Sequence, residues 1–249
     1  MEDRRNRIME LIKKRKYISI DFLTSELHFS ASTIRRDLSY LEDLNLIRRT
    51  SGGAILVKED LIENPQLFKY EIHKGEKRII AELAIDFVED YATIFLDSSS
   101  TSQIFSEKLN KKKSLTIFTT NLTTAMKVEA RKENHAYCIG GLVSDGKVGG
   151  SLCEQMASNI VVDCAFISCR GFDPKFGASD LLQEEAGIKQ IIKKNAKKVI
   201  LLVDSSKFNK SYNFKSLAID DIDHLISDRK PPENFKVLDN YFETLYWND

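Results

Sequence analysis

Apolar positions near the N-terminus recur every three or four residues, and short polar breaks separate the runs. Between Arg4 and Lys16, Ile8, Leu11 and Ile12 share one helical face and basic residues take the other. A second, short helix is predicted from Ile20 to Leu27, with Ile20, Leu23 and Leu27 inward. After the break His28-Phe29-Ser30 a third helix starts near Ala31. Ser30 serves as its N-cap, and Ile34, Leu38 and Leu41 face inward. Beyond Asn45 the period changes. Leu46–Thr50, the turn Ser51-Gly52-Gly53 and Ala54–Val57 read as a β-hairpin.

From Lys58 to Lys74 the pattern weakens and Pro65 interrupts it. This predicts a linker (58–74) between an N-terminal domain (1–57) and a C-terminal one (75–249). Helix and strand signals then alternate. Helices are predicted at Gly75–Asp90, Ser102–Leu109, Asn121–Arg131, Ser151–Ile160 and Leu182–Asn195. Strands are predicted at Ala92–Leu96, Leu115–Thr119, Ala136–Ile139, Ala165–Ser168, Val199–Val203 and His224–Ile226. Pro231-Pro232 suits the first turn of a last helix, and Phe242–Trp247 a final strand. Such alternation predicts an α/β domain around a mostly parallel sheet covered on both faces.

Composition narrows the function classes. The 249 residues are 42% hydrophobic and 30% charged, as in a soluble globular protein. Lys+Arg and Asp+Glu balance at 37 each, so any grip on nucleic acid must come from local basic clusters. Cys138, Cys153, Cys164 and Cys169 show no CxxC spacing and read as buried thiols in a reducing compartment. The histidines form no zinc pattern, so no metal is expected. No apolar run approaches the length of a membrane span, and the charged start is unlike a signal peptide, which points to the cytoplasm. Gly146-Lys147-Val148-Gly149-Gly150-Ser151 lacks the order of a nucleotide-binding P-loop.

Two short helices joined by a tight turn make a helix-turn-helix, whose second helix presents its first residues to base edges in the major groove. Those positions hold Ser32, Thr33, Arg35 and Arg36. Arginine pairs bidentately with guanine or meets phosphate, and hydroxyls suit phosphate oxygens. Arg48, Arg49 and the Gly52-Gly53 turn form a basic wing. In the second domain, loops fall just after predicted strands, where open α/β sheets bind ligands. Asp97-Ser98-Ser99-Ser100-Thr101 offers hydroxyls and a helix start to an anion. Thr119-Thr120-Asn121, Gly140-Gly141 and Val203-Asp204-Ser205-Ser206-Lys207-Phe208 follow later strands.

The string Ser32-Thr33-Ile34-Arg35-Arg36-Asp37-Leu38, then Leu41, then Arg49-x-x-Gly52-Gly53-Ala54 resembles the DeoR family of sugar-metabolism repressors. That family typically has TIRRDL and then R-x-HGGA, and only Ser51 departs from it here. Asp97, Thr101, Thr120, Asn121, Gly140, Gly141, Asp204, Ser206 and Lys207 match its effector-domain pattern, while Ser99 and Ser100 replace the usual Gly and Thr. In Ser168-Cys169-Arg170-Gly171-Phe172-Asp173, Ser168 replaces a common Gly. Glu185 and Lys189 match an E-A-x-x-K helix, and their spacing also suits a solvated salt bridge.

The resemblance implies a winged helix-turn-helix followed by an effector domain of the fold shared by sugar-phosphate isomerases and CoA transferases. It also implies that a phosphorylated sugar or sugar alcohol is the effector, usually releasing the protein from operator DNA, with no cofactor. Asp97, Ser98, Ser99, Ser100, Thr101, Thr120, Asn121, Gly140, Gly141, Gly171, Glu185, Lys189 and Lys207 are the expected ligand positions. Binding to double-stranded operator DNA is expected from a homo-oligomer, dimer or tetramer. The competing class is a sugar-phosphate isomerase-like enzyme with an appended regulatory domain. It would need a carboxylate base, for which Asp97, Asp173 and Glu185 are candidates.

Overall fold

The computed structural model describes residues 2–15, 17–44, 46–56, 66–130 and 133–247. Contacts divide the chain into two compact units, 1–72 and 73–249. Lys16, Asn45, the stretch from Val57 through Pro65 and Arg131, all named in the sequence reading, lie outside the described residues.

The first unit runs α1 (Glu2–Arg15), β1 (Tyr17–Ser19), α2 (Ile20–Leu27), α3 (Ala31–Asp43), β2 (Ile47–Thr50), β3 (Gly53–Leu56) and α4 (Gln66–Glu71). Local chemistry sets the boundaries. Ser19 Oγ accepts from Phe22 N at 3.1 Å and caps α2, and Ser30 Oγ accepts from Thr33 N at 3.3 Å and caps α3. Between them His28 adopts the left-handed conformation (φ 57°), which turns the chain tightly enough for α3 to cross α2. Ile8, Ile12, Leu23, Ile34, Leu38 and Leu41 interlock as one core. The strand β1 was not foreseen. It joins the hairpin as a third strand in the order β1-β3-β2 and pairs Ser19 with Gly53. A helix, α4, occupies part of the expected linker.

The second unit begins with α5 (Lys74–Ala84), shorter than predicted. A single 3-10 turn (Ile85–Phe87) follows, and Val88 then leaves in extended conformation. Next come β4 (Thr93–Leu96), α6 (Ser100–Ser106), β5 (Thr116–Thr119), α7 (Leu122–Glu129), β6 (His135–Cys138), β7 (Leu142–Ser144), β8 (Lys147–Gly149), α8 (Ser151–Ala157) and β9 (Val162–Ser168). The rest is β10 (Gly171–Asp173), β11 (Gly177–Asp180), α9 (Gln183–Asn195), β12 (Ala196–Val203), β13 (Phe214–Leu217), β14 (His224–Ser227) and β15 (Glu243–Tyr246). The α9 helix passes into β12 with no residue between them. The expected last helix is a 3-10 segment, Glu233–Leu238, entered from Pro232.

Seven strands form a sheet in the order β15-β14-β12-β9-β4-β5-β6, and every pair in it is parallel. Apolar runs such as Val199–Val203 are buried throughout, as strands covered on both faces must be. Two antiparallel pieces were not anticipated: the hairpin β7–β8, and the small sheet β10-β11-β13.

The order has one consequence for function. From β4 the chain moves outward through β5 to β6, then returns to β9 on the other side of β4 and continues to β12, β14 and β15. The direction therefore reverses between β4 and β9. In open α/β sheets, ligands bind in the crevice that opens at the carboxyl ends of the strands at such a reversal.

Candidate functional site

The first unit presents the start of α3 and the wing. Ser32, Arg35 and Arg36 are exposed, and Thr33 is half-buried. Arg35 and Arg36 have no hydrogen-bond or ion-pair partner among the described residues, so their guanidinium groups are available. Ser30 Oγ lies 2.9 Å from both Ser32 Oγ and Thr33 Oγ1, gathering three hydroxyls at the helix start.

The wing arginines differ from each other. Arg48 is exposed. Arg49 is tied to α3: its backbone N donates to Glu42 Oε1 at 2.7 Å and its guanidinium donates to Ser39 Oγ. Gly52 is exposed, but Gly53 is buried where a Cβ would overlap the Ile18 carbonyl of β1. That close approach is why a glycine stands there.

Asp37, noted in the sequence only as part of the motif, proves to be an anchor. It is buried at 1% exposure on the inner face of α3. Arg4 and Arg5 from α1 both donate to its carboxylate, Arg5 Nε at 3.0 Å. The pairing holds the Arg4 pKa above its ordinary value. The same arginines lie over rings, Arg4 on Phe29 and Arg5 on Tyr40 at 3.7 Å. Two cations thus hold the base of α3 against α1.

In the second unit the structure gathers the strand-end loops along one rim. Asp97 follows β4 and is buried. Its Oδ1 accepts from Ser99 N at 3.1 Å, Ser99 Oγ at 2.5 Å and Ser102 Oγ at 2.6 Å. Its Oδ2 accepts from Ser168 N at 2.8 Å, which bridges the reversal between β4 and β9. Ser99 is the N-cap of α6 through Ser102 N. Ser98 and Ser100 are buried, and Thr101 Oγ1 is buried with no partner among the described residues.

Asn121 caps α7 by accepting from Thr124 N at 2.9 Å and donates from Nδ2 to Ser98 O at 3.2 Å, joining the β5 loop to the β4 loop. Thr120 is buried, and its carbonyl accepts from Val148 N at 2.8 Å. Lys207 Nζ reaches from beyond β12 to Ser168 Oγ at 2.8 Å and to Asp204 Oδ2 at 3.3 Å. Burial alone would raise the Asp204 pKa, but Lys207, Lys77, the Ser206 hydrogen bond and His73 together outweigh it and hold the carboxyl well below the usual range.

Other expected positions lie around this line. Gly140 lies beside Met156, while Gly141 packs where a Cβ would come 2.5 Å from Gly149 O. Gly171 likewise sits against Lys210 O on β10, where a Cβ would come 2.5 Å from it.

Glu185 and Lys189 turn to different partners. Glu185 takes Lys147 of β8 at 2.7 Å, and Lys189 takes Asp180 at 2.7 Å with Asp97 Oδ2 at 3.7 Å. Lys189 is 4% exposed, so the pair is buried and the solvated bridge is not what forms. Desolvation would lower the Lys189 pKa, but Asp180, Asp97 and Glu185 together raise it. Burial, which penalises the charged form, raises Asp180 with a further push from Glu185, although Lys189 pulls the other way. Asp180 and Lys147 gave no signal in the sequence, since their contacts are remote.

Chemically, the rim offers buried hydroxyls, two capped helix starts and a partly exposed cation, a set suited to an oxyanion. The four cysteines are free, and burial pushes the Cys169 thiol up to about 12. No group of three His, Cys, Asp or Glu among the described residues could hold a metal ion. No helix among them is long and apolar enough to cross a membrane.

Comparison with known proteins agrees with both halves. Residues 4–60 match the DeoR-like helix-turn-helix domain, and residues 72–229 match the DeoR C terminal sensor domain. The HTH-type transcriptional regulator GolR of Listeria innocua is 32% identical over 92% of this chain and 91% of its own. The glycerol-3-phosphate regulon repressor of Escherichia coli is 29% identical over 92% and 91%. The lactose phosphotransferase system repressor of Staphylococcus epidermidis is 28% identical over 98% of both chains. Among solved structures, ribose 5 phosphate isomerase A from Neisseria gonorrhoeae aligns over 57% of this chain and 55% of its own, with a TM-score of 0.41 and 17% identity. With a helix-turn-helix ahead of a sensor domain and matches spanning nearly its whole length, the chain belongs to the DeoR family of transcriptional regulators.

Proposed function

We propose that this regulator represses carbohydrate-metabolism genes by binding operator DNA through α3 and the wing, and that a phosphorylated sugar or sugar alcohol bound at the rim controls that binding. Ser32, Thr33, Arg35, Arg36 and Arg48 make the DNA contacts in this reading, and Arg49 holds the wing to α3. The working division is a DNA-reading domain (1–57), a linker (58–74) and an effector domain (75–249). The protein acts as a dimer or tetramer, because helix-turn-helix proteins read repeated half-sites symmetrically.

One observation carries the effector half. Hydrogen bonds, the Ser98–Ser99 peptide link and the Lys207–Asp204 ion pair join Asn121, Ser98, Ser99, Asp97, Ser168, Lys207 and Asp204 into one run across the ends of β5, β4, β9 and β12. It lies at the reversal of strand order, and Thr101 Oγ1, without a partner among the described residues, sits in the first turn of α6. Phosphate oxygens would meet Thr101, Ser100 and Lys207. The names of two relatives, a glycerol-3-phosphate regulon repressor and a lactose phosphotransferase repressor, support a phosphorylated sugar or sugar alcohol. An isomerase would need a carboxylate free to take a proton from the sugar, and both Asp97 oxygens are engaged by protein donors.

The test is operator binding by fluorescence anisotropy on the chain's own upstream DNA, with and without glycerol 3-phosphate, pentose phosphates and hexose phosphates. A phosphate ester that changes operator affinity and raises the melting temperature supports the reading, because such a ligand prefers the folded state. A panel in which the unphosphorylated sugars act equally well would defeat it.

A further inference from the structure

The glycine-rich run Gly146-Lys147-Val148-Gly149-Gly150-Ser151, which lacks the order of a P-loop, supplies the turn and second strand of the β7–β8 hairpin and the start of α8. Gly146 takes the left-handed backbone (φ 75°) that the turn requires. Lys147 is thereby held from two sides. Its backbone pairs with Asn121, through Val148 N to Thr120 O at 2.8 Å and Leu122 N to Gly146 O at 2.9 Å. Its Nζ donates to Glu185 Oε1 in the first turn of α9 at 2.7 Å.

These contacts close a ring. Glu185 stands one turn before Lys189 on α9, and Lys189 Nζ lies 3.7 Å from Asp97 Oδ2. Ser98, next to Asp97, accepts from Asn121 Nδ2 at 3.2 Å, which returns the path to Lys147. The Lys147 and Glu185 side chains are 11% and 16% exposed, so the pair is shielded from most solvent while still accessible.

The two ends of the rim differ in charge. At the β12 end, Lys207 and Lys77 both act on one carboxylate, Asp204. In the ring, the ammonium groups of Lys147 and Lys189 stand among three carboxylates, those of Glu185, Asp97 and Asp180. Lys207 follows β12 and Asn121 follows β5, three strand spacings or roughly 14 Å away.

We propose that Lys147, paired with Glu185, is a specificity-determining residue that makes this end of the rim a reader of hydroxyl groups and bars a second phosphate. The proposal rests on the effector reading above and narrows its ligand to a monophosphate ester with alcohol groups remote from the phosphate. A carboxylate beside an ammonium presents an acceptor and a donor together. A hydroxyl both donates and accepts, so it satisfies the two at once. A phosphate dianion only accepts. It would gain Lys147 but meet Glu185, and like charges brought together in a partly desolvated site are strongly disfavoured. Selectivity then comes from the repulsive member of the pair as much as from the attractive one.

The experiment is isothermal titration calorimetry on the full chain without DNA. Glycerol 3-phosphate and the pentose and hexose monophosphates are titrated first, and each one that binds is compared with the bisphosphate of the same carbon skeleton. The wild type is expected to bind the monophosphate roughly tenfold or more tightly than the bisphosphate. Glu185→Gln should shrink that ratio by about tenfold, because Lys147 then stands without its carboxylate. Lys147→Met should weaken monophosphate binding by about tenfold, and Lys147→Arg should retain it. Glu185→Gln is isosteric, so it carries the test even where circular dichroism shows Lys147→Met unfolded. A wild type that takes both esters equally well, or a Glu185→Gln variant with an unchanged ratio, would overturn the proposal and leave the effector reading standing. If no monophosphate binds the wild type, the effector reading falls and this proposal with it.

Discussion

Lys207 Nζ donates to Ser168 Oγ across 2.8 Å, joining the ends of two adjacent parallel strands, β12 and β9, at positions far apart in sequence. The Ser168 hydroxyl in turn donates to Leu202 O at 2.7 Å, so its orientation is fixed and its lone pairs face the ammonium. Lys207, the cation of the loop that follows β12, is thus aimed along the rim by a residue that stands where the family commonly has glycine.

Lys207→Ala should leave operator affinity intact and weaken the response to the effector by about tenfold or more, since a charge-assisted hydrogen bond contributes about 1.5–3 kcal/mol. Operator titrations with and without sugar phosphate measure both quantities. A variant that responds at the wild-type effector concentration would put Lys207 outside the pocket.

Arg35→Ala and Arg36→Ala should each cost about 1–3 kcal/mol of operator affinity with an unchanged melting temperature, because neither side chain has a partner among the described residues. Arg49→Ala should behave differently. It removes the guanidinium's contacts with Ser39 and Glu42 while the backbone N–H to Glu42 stays, so some loss of thermal stability should accompany the loss of affinity. Equal stability in all three variants would contradict this distinction.

Asp37→Ala should destabilise the N-terminal unit by about 3 kcal/mol, because it strips a buried counter-charge from Arg4 and Arg5. Urea denaturation followed by far-UV circular dichroism would report this as an earlier transition of that unit. Gly53→Ala should also cost about 3 kcal/mol, as its Cβ meets the Ile18 backbone, whereas Gly52→Ala meets nothing closer than Tyr17 Oη at 3.7 Å and should be nearly neutral.

Asp204 predicts a pH dependence. Its folded pKa lies below the ordinary 3.8, so its ion pair stabilises the fold above that value and is lost as pH falls toward the folded pKa. The stability difference between wild type and Asp204→Asn should therefore be constant near neutrality and shrink only below about pH 4. Denaturation midpoints across an acid series would show it, and a difference that changed around pH 7 would count against the assignment.

The sequence made the helix-turn-helix legible because its signals are local: Ser30 as a cap, His28 at the turn, and Ile34, Leu38 and Leu41 at one spacing. The parallel strands announced themselves as short apolar runs such as Val199–Val203. What escaped notice depends on partners far along the chain. Tyr17–Ser19 is a strand only because Gly53–Ile55 lies beside it, and β13 pairs with β11 more than thirty residues earlier. The rim was legible as separate loops, while the ion pairs of Lys189 with Asp180 and Lys147 with Glu185 arise only after folding brings them together.

The direct passage of α9 into β12 bears on how the chain tolerates change. With no loop between Asn195 and Ala196, an inserted residue has nowhere to bulge. It would rotate the helix that carries Glu185 and Lys189, or slip β12 by one position and turn its buried residues over. At the β7–β8 hairpin tip Ser144 and Asp145 are exposed, and an inserted residue there can loop into solvent without rotating a helix or slipping a buried strand. Length variants of this protein should therefore survive at the hairpin tip and fail at the helix–strand junction.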